Sequence, residues 1–202
     1  MTERYIPFGE IETRADDNGP LVIEGYFARF DDVYKIFDGA TESIARGAFT
    51  ESMNGDVRAL YNHNADIVLG RTSAGTMTLR QDEVGLWGRI ELDPGDTDAV
   101  NAYRRIQRKS ITGCSFGFDI EKEERTVNSD GTVHWTIQKV NPLYEVSPCV
   151  FPAYEGTSIT ARKKEFEDVT NEMRQRKLDA WKESQKRRLT HGNESPDAPQ
   201  ED

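Results

Sequence analysis

The chemistry available to this chain centres on a serine in a strand-like segment with two glycines. Ser115 lies in a Gly-Cys-Ser-Phe-Gly-Phe run, and successive side chains of a strand point to opposite faces. Cys114, Phe116 and Phe118 are then expected to face a core, while Ser115 and Gly117 share the other face. A glycine beside the hydroxyl leaves room for a peptide backbone to approach closely. The pattern favours Ser115 as a nucleophile for acyl transfer.

A serine hydroxyl is a poor nucleophile until a neighbouring base accepts its proton, and histidine is the usual base because its unperturbed pKa of ~6.5 lies near working pH. The chain has three histidines. His191 falls in the polar C-terminal stretch, and His134 follows a predicted turn at a position that favours solvent. His63 ends a predicted strand between two asparagines, which makes it the best placed of the three.

The base also needs an acceptor that orients it, and Glu145 is the candidate. It lies in a Leu-Tyr-Glu-Val segment, where an acid interrupts an otherwise apolar strand pattern. An unpaired buried carboxylate costs several kcal/mol, so it is expected to have a partner, and an imidazole is a suitable one. Spacing along the chain does not by itself bring Ser115, His63 and Glu145 together.

Periodicity predicts the elements that must position these residues. Alternation predicts strands over residues 56–63, 86–92 and 143–150. Apolar residues at helical spacing predict a short helix over residues 42–53, and Asp96 or Thr97 is expected to cap a second helix. An Asn-Ser-Asp-Gly sequence at 128–131 predicts a tight turn. The strand count and turn spacing predict a mainly β, α+β domain that is closed or nearly closed, with a few helices against it.

Composition narrows the class of protein. Residues 1–162 carry 17 basic and 26 acidic residues, a balance that argues against nucleic-acid binding and favours a positively charged substrate segment. The two cysteines, Cys114 and Cys149, lack a metal-binding spacing and indicate a reducing compartment. No apolar run is long enough to span a membrane, and the N-terminus does not resemble a signal peptide. We therefore expect a cytoplasmic protein without membrane contact.

The character of the chain changes after Arg162. Residues 163–190 contain 15 charged residues in 28, with Phe166, Val169 and Met173 at helical spacing, which predicts a solvated helix with a thin apolar stripe. Residues 191–202 have a composition typical of disorder. We thus predict a domain over 1–162, a charged helical extension over 163–190 and a disordered tail over 191–202.

Over roughly residues 4–162 the chain resembles the prohead maturation proteases of tailed phages of the HK97 type. The resemblance rests on a Tyr-Asn-His-Asn block that contains His63 and a Ser-Phe-Gly-Phe block that begins at Ser115. Further matching blocks occur in the expected order at 25–31, 42–49, 69–72, 75–76, 143–148 and 151–154. Any one block is weak evidence, whereas the ordered set is strong.

The resemblance implies a β-barrel ringed by helices, like that of the herpesvirus assembly proteases, with Ser115 as nucleophile and His63 as base. The third catalytic member is Glu145 or, by analogy with a second histidine in the herpesvirus enzymes, His134. It implies a serine endopeptidase that acts inside the procapsid in the host cytoplasm, on the major capsid protein precursor with its scaffolding segment, and on itself. The portal is a further candidate partner, and a homo-oligomer is an open alternative. No cofactor and no metal are expected.

Three other functions compete with this interpretation. The first is a capsid-assembly scaffold that keeps the fold without activity. The second is a cysteine hydrolase that uses Cys114 with His63, although alternation points Cys114 away from the Ser115 face. The third is a metal hydrolase at His63 and Asp66, for which no further ligands are evident.

Overall fold

The structure is a computed structural model that describes residues 2–6, 11–15, 20–150 and 156–191, with side chains described over 11–14, 20–150 and 162–187. The first sheet contains strands β1 (Thr2–Ile6), β4 (Tyr34–Phe37), β5 (Ala40–Ile44), β6 (Arg58–Tyr61), β7 (Asn64–Arg71), β10 (Gly113–Val127) and β11 (Val133–Cys149). The second sheet contains β2 (Ile11–Ala15), β3 (Leu21–Arg29), β8 (Met77–Gln81) and β9 (Gly85–Leu92). The helices are α1 (Thr97–Gln107), α2 (Gly156–His191) and a 3₁₀ turn at Ser52–Asn54.

The mixed, mainly β class is confirmed, but the predicted closed barrel is not. Within the described residues the strands form one seven-stranded and one four-stranded sheet, with the order β2-β3-β9-β8 in the smaller. The larger sheet follows the order β1-β10-β11-β5-β4, and β6 and β7 branch from β11. The alternation that marks half-buried strands is compatible with both arrangements, because a barrel and a pair of packed sheets each bury one face of every strand.

The long β10–β11 hairpin connects the parts of the larger sheet. Its turn lies at the predicted position, where the Gly131 amide donates to the Asn128 carbonyl at 3.0 Å and Gly131 adopts a φ of +91°. The outer edge of β11 pairs in parallel with β5 near the turn and with β6 near the other end. Each end of the hairpin therefore lies beside a different strand, β5 near the turn and β6 at the other end.

The core forms where the two sheets meet. Phe27 and Leu86 of the smaller sheet are fully buried in the same apolar cluster as Phe116 and Phe118 of β10. The Phe116 and Phe118 rings stack with centroids 4.8 Å apart, and Phe49 meets Phe116 edge-on. This packing confirms that the even-numbered residues of this part of β10 face the core. Ser115 and Gly117 consequently belong to the other face of the sheet.

The prediction of a helix over residues 42–53 is wrong. Residues 40–44 form β5, which pairs in parallel with β11, and only the 3₁₀ turn at Ser52–Asn54 follows. Ile44, Ala48 and Phe49 are buried as expected, but they serve as anchors of a strand and a turn. Pairing with β11 supplies the backbone hydrogen bonds that a helix would otherwise provide, so tertiary context overrides the spacing.

The other predicted elements occur close to their expected positions. Strand β6 covers the central half of residues 56–63, β9 covers all of residues 86–92, and α1 begins at Thr97. The Asp96 carboxylate caps α1 by accepting hydrogen bonds from the Asp98 and Ala99 amides at 2.8 and 3.3 Å. Such a cap satisfies donors that the first helical turn leaves without partners.

Helix α2 begins before the predicted extension and packs on the larger sheet. Val169 is buried against Ala40, Val133 and Trp135, and Phe166 and Met173 flank it. Beyond Met173 the described side chains of α2 are mostly exposed, with Trp181 at 58% and Leu178 at 43% of their full accessibility. The tail predicted to be disordered lies outside the described residues except for His191, which ends α2. No helix in the described part of the chain is long and apolar enough to cross a membrane.

Candidate active site

His63 lies at the tip of the tight hairpin between β6 and β7. Tyr61 and Asn64 close the hairpin as a cross-strand pair, so Asn62 and His63 form a two-residue loop. Both loop residues have positive φ, +55° for Asn62 and +59° for His63. Positive φ at both central positions is the requirement of a type I′ turn, and asparagine tolerates it well. Histidine adopts positive φ less often than glycine, and the surrounding structure can stabilise it there.

The surrounding structure does hold this loop, because it is bonded to the end of β11. The Asn62 amide donates to the Pro148 carbonyl at 3.0 Å, and the Asn62 side-chain oxygen accepts from the Val150 amide at 3.2 Å. The His63 amide donates to the Ser147 hydroxyl at 3.3 Å. These three bonds place the imidazole over the strand that carries Glu145.

The structure brings His63 and Glu145 into direct contact. The imidazole Nδ1 lies 2.8 Å from Glu145 Oε1, and the Glu145 side chain is only 3% exposed. A carboxylate can only accept, so Nδ1 carries the proton in the neutral imidazole. The Nε2 atom then carries the lone pair of the neutral ring. A histidine held in this tautomer can accept a proton only at Nε2.

Sequence analysis missed a third polar residue of this group, Ser147. Its hydroxyl donates to Glu145 Oε2 and accepts the hydrogen bond from the His63 amide. Ser147 thus fixes the carboxylate and the loop at once. The available signal was the strand period, since a residue two positions after Glu145 must lie on the same face.

Ser115 lies beside this group through the pairing of β10 with β11. The antiparallel register places Ser115 opposite Ser147 and Gly117 opposite Glu145. Directly opposed residues share a face, with Cβ atoms typically ~4.5–5.5 Å apart. Ser115, Ser147, Glu145 and His63 therefore form one polar cluster. Ser115 and Ser147 are 0% exposed, whereas the His63 side chain is 15% exposed, so only the imidazole reaches solvent.

His134, the rival for the third position, is not part of this cluster. It lies near the turn end of β11, opposite Thr126 of β10 and Thr41 of β5. Its Nδ1 lies 2.8 Å from the Thr41 hydroxyl and its Nε2 lies 2.9 Å from the Ser43 hydroxyl. Both ring nitrogens are thus engaged by hydroxyls at the opposite end of the hairpin.

The two cysteines are buried free thiols, and neither has the surroundings of a reactive one. Burial raises the pKa of Cys114 well above its ordinary value. Burial and the charge of Glu145 raise the pKa of Cys149 to about 12. Reactive cysteines need a lowered pKa, because the thiolate is the nucleophile. The described residues also contain no cluster of side chains suited to hold a metal ion.

Comparison with known proteins finds similarity to a protein family, to a curated protein and to solved structures. Residues 9–172 match the model of a family described as caudovirus prohead serine protease. The chain is similar to the prohead protease of Enterobacteria phage HK97, with 29% identity over 164 residues that cover 79% of this chain and 68% of that protein. Among solved structures it is similar to the bacteriophage T4 capsid assembly protease, with 10% identity and a TM-score of 0.38 over 72% of this chain and 98% of that one. The block at 151–154 that contributed to the sequence resemblance lies outside the described residues.

Proposed function

The chain belongs to the caudovirus prohead serine protease family, and on that premise we propose that it is a serine endopeptidase with Ser115 as nucleophile, His63 as general base and Glu145 as the residue that orients the base. The observation that carries this proposal is the contact between His63 Nδ1 and the buried Glu145 carboxylate. Ser115 lies near this contact, because it is directly opposite Ser147, whose hydroxyl donates to Glu145.

The geometry supports an acyl-enzyme mechanism. The Ser115 Oγ attacks the carbonyl carbon of the scissile peptide while His63 Nε2 takes the hydroxyl proton. The imidazolium that forms is stabilised by the Glu145 carboxylate at Nδ1. Collapse of the tetrahedral intermediate breaks the C–N bond, and Nε2 returns the proton to the leaving amine. Water then hydrolyses the ester of Ser115 by the same base catalysis.

The proposed substrates are the major capsid protein precursor with its scaffolding segment, and the protease itself, inside the procapsid. Membership of the prohead protease family supports this role. The acidic balance of residues 1–162 would favour positively charged substrate segments. Kinship with the herpesvirus assembly proteases remains a prediction of the sequence resemblance.

The proposal is tested by intact-mass spectrometry of the protein and its Ser115→Ala variant, each incubated with the capsid precursor. Loss of a triad nucleophile typically lowers the rate ~10⁴–10⁶-fold, which would abolish visible cleavage. We expect the parent to trim the precursor or itself and the variant to do neither. Identical mass profiles for the two proteins would instead favour a non-catalytic scaffold.

A Cys114→Ala variant is the matched control, because it alters the neighbouring residue on the other face of β10. We expect it to retain cleavage, since the Cys114 thiol is fully buried and burial raises its pKa. Loss of cleavage with Cys114→Ala and its retention with Ser115→Ala would support the cysteine hydrolase instead.

We also propose that the exposed part of α2 serves incorporation into particles and not peptide-bond chemistry. The charged surface with Leu178 and Trp181 would dock against scaffold helices. A stop codon after Met173 keeps the residues that pack on the sheet and removes the exposed part. We expect the truncated protein to fold and cleave but to be packaged poorly. Normal packaging would contradict the proposal.

A further inference from the structure

The chain's own first strand occupies the edge of the strand that carries Ser115. Strand β1 pairs antiparallel with residues 114–118 of β10, and Tyr5 lies directly opposite Ser115. In the larger sheet β10 has β11 on one side and β1 on the other. Any peptide that is to pair with β10 alongside Ser115 must therefore take the place of β1.

This edge has the properties of a peptide-binding site. Once β1 moves away, the backbone N–H and C=O groups of β10 from Cys114 to Phe118 become a template on which an extended chain can add as a strand. The even-numbered side chains of this stretch are anchored in the core. Gly117, which lies two residues beyond Ser115 on the same face, adds no side chain that would obstruct a substrate.

Strand β1 is suited to leave this edge. It is five residues long, whereas β11 pairs with β10 along nearly all of the 15 residues of β10. In the described part of the chain, β1 ends the sheet and pairs on one side only. Short edge strands of this kind open at a much lower free energy than core strands.

We propose that the β10 edge binds the extended backbone of the substrate and that β1 is an intramolecular competitor for it, so that the isolated protein is self-inhibited. The inference rests on the proposed function for the identity of the ligand. In this structure Ser115 is completely buried, and β1 occupies the edge along which a substrate strand would pair beside it. Activation then requires displacement of β1 by substrate.

The first test releases β1 with the double variant Arg4→Pro/Tyr5→Pro. Adjacent residues of an antiparallel strand direct their N–H groups to opposite sides, so one of Arg4 and Tyr5 donates its N–H toward β10. Replacing both residues with proline therefore removes that donor, whichever of the two it is. The matched control is Arg4→Ala/Tyr5→Ala, which retains both donors. We expect the proline pair to raise kcat/KM for a capsid-precursor peptide about tenfold, mainly through a lower KM, since a competitor lowers the competent fraction of the protein.

The second test locks β1 in place. Ile6 lies opposite Cys114, and opposed residues in an antiparallel pair have Cα separations of ~4.5–5.5 Å, within the range of disulfides. The Ile6→Cys variant should therefore lose cleavage on oxidation and regain it with dithiothreitol. Ile6→Cys/Cys114→Ala controls for oxidation without the cross-link. An oxidised, cross-linked protein that cleaves at the parent rate would overturn the inference.

A binding assay separates this inference from the proposed function. Ser115→Ala is introduced into both double variants, and a labelled peptide of residues 1–7 is titrated, with a scrambled peptide as control. We expect about tenfold tighter binding by the proline variant than by the alanine variant. If the peptide binds tightly but no protein that retains Ser115 cleaves the capsid precursor, only the proposed function is contradicted. Cleavage with equal binding and equal kcat/KM in both variants would overturn the strand competition.

Discussion

Two buried carboxylates on the larger sheet differ in the partners that compensate their charge. Glu42 on β5 is completely buried and bonds to the Arg162 guanidinium at 2.9 Å, with the Tyr34 hydroxyl as a second donor. Glu145 on β11 is almost as buried and bonds to the His63 imidazole and the Ser147 hydroxyl. The first site lies toward the turn of the β10–β11 hairpin and the second toward its other end.

The Glu42 site is built to remain charged and fixed. Burial alone would lower the pKa of Arg162, but the hydrogen bond with Glu123 and the charge of Glu42 outweigh it and raise the pKa above its ordinary value. Arg162 also lies over the Trp135 ring at 4.8 Å, and the Trp135 indole donates to Glu165 at 3.0 Å. This network fastens the beginning of α2 to the sheet.

The Glu145 site is built around a group that can gain and lose a proton. An imidazole pairs with a carboxylate in its neutral and in its cationic form, whereas a guanidinium offers only the cationic form. A buried acid paired with arginine can therefore only hold structure in place. A buried acid paired with histidine can support proton transfer, which is why we assign catalysis to Glu145 and structural support to Glu42.

The largest expected effect concerns Glu145→Gln. The amide cannot act as the same anionic acceptor for Nδ1–H, so the imidazole loses its tautomer and the stabilisation of its cation. By analogy with other triads, we expect kcat to fall by about 10⁴-fold. The rate is measured with the capsid precursor, and thermal unfolding checks that the fold is retained. Glu42→Gln is the matched control, and its rate per folded molecule should stay near that of the parent. Equal rate losses in the two variants would abolish the distinction between the sites.

Removal of Arg162 should affect stability and not catalysis. Arg162→Met leaves the Glu42 carboxylate buried without its cation, and breaking a buried pair costs about 3–5 kcal/mol of unfolding free energy. Urea denaturation measures the loss. The double variant Glu42→Gln/Arg162→Met removes the stranded charge and should recover part of it. If Arg162→Met is as stable as the parent, the network does not fasten α2 as described.

Mild acid should lower activity before it lowers stability. Protonation of His63 at Nε2 removes the acceptor for the Ser115 proton, so the cleavage rate should fall by about tenfold per pH unit on the acidic limb between pH 8 and 5. A flat profile over this range would argue against a histidine base.

The free energy of unfolding should change less over the same pH range, as the surface ion pair between Asp56, just before β6, and Arg71 of β7 illustrates. The hydrogen bond from Arg71 lowers the pKa of Asp56 well below its usual range. A depressed folded pKa contributes stability above the unfolded value, near 4, and loses it only as pH falls further toward the folded value. The contribution of Asp56 is therefore complete at pH 5. Thermal unfolding at each pH of the activity profile checks this separation.

Much of the local structure follows from the sequence alone. The period-two pattern of β9, the capped start of α1 and the turn at 128–131 each depend on neighbouring residues, and the structure confirms them. In β6 the predicted alternation holds only in part, because Ala59 and Leu60 are both buried. The face of β10 that carries Ser115 was also predictable, because it depends only on strand alternation. The family resemblance supplied the roles of Ser115 and His63, which remain proposals.

The tertiary structure decided what depends on residues distant in the sequence. The spacing of Ile44, Ala48 and Phe49 fits a helix, yet pairing with β11 makes this region a strand followed by turns. The choice between Glu145 and His134 as the partner of His63 depended on how the 61–64 hairpin docks on the end of β11. The position of β1 beside Ser115 came only from the register of the sheet. Side-chain period and turn chemistry are local properties, whereas sheet order and docking are decided by the burial and hydrogen bonding that distant segments supply.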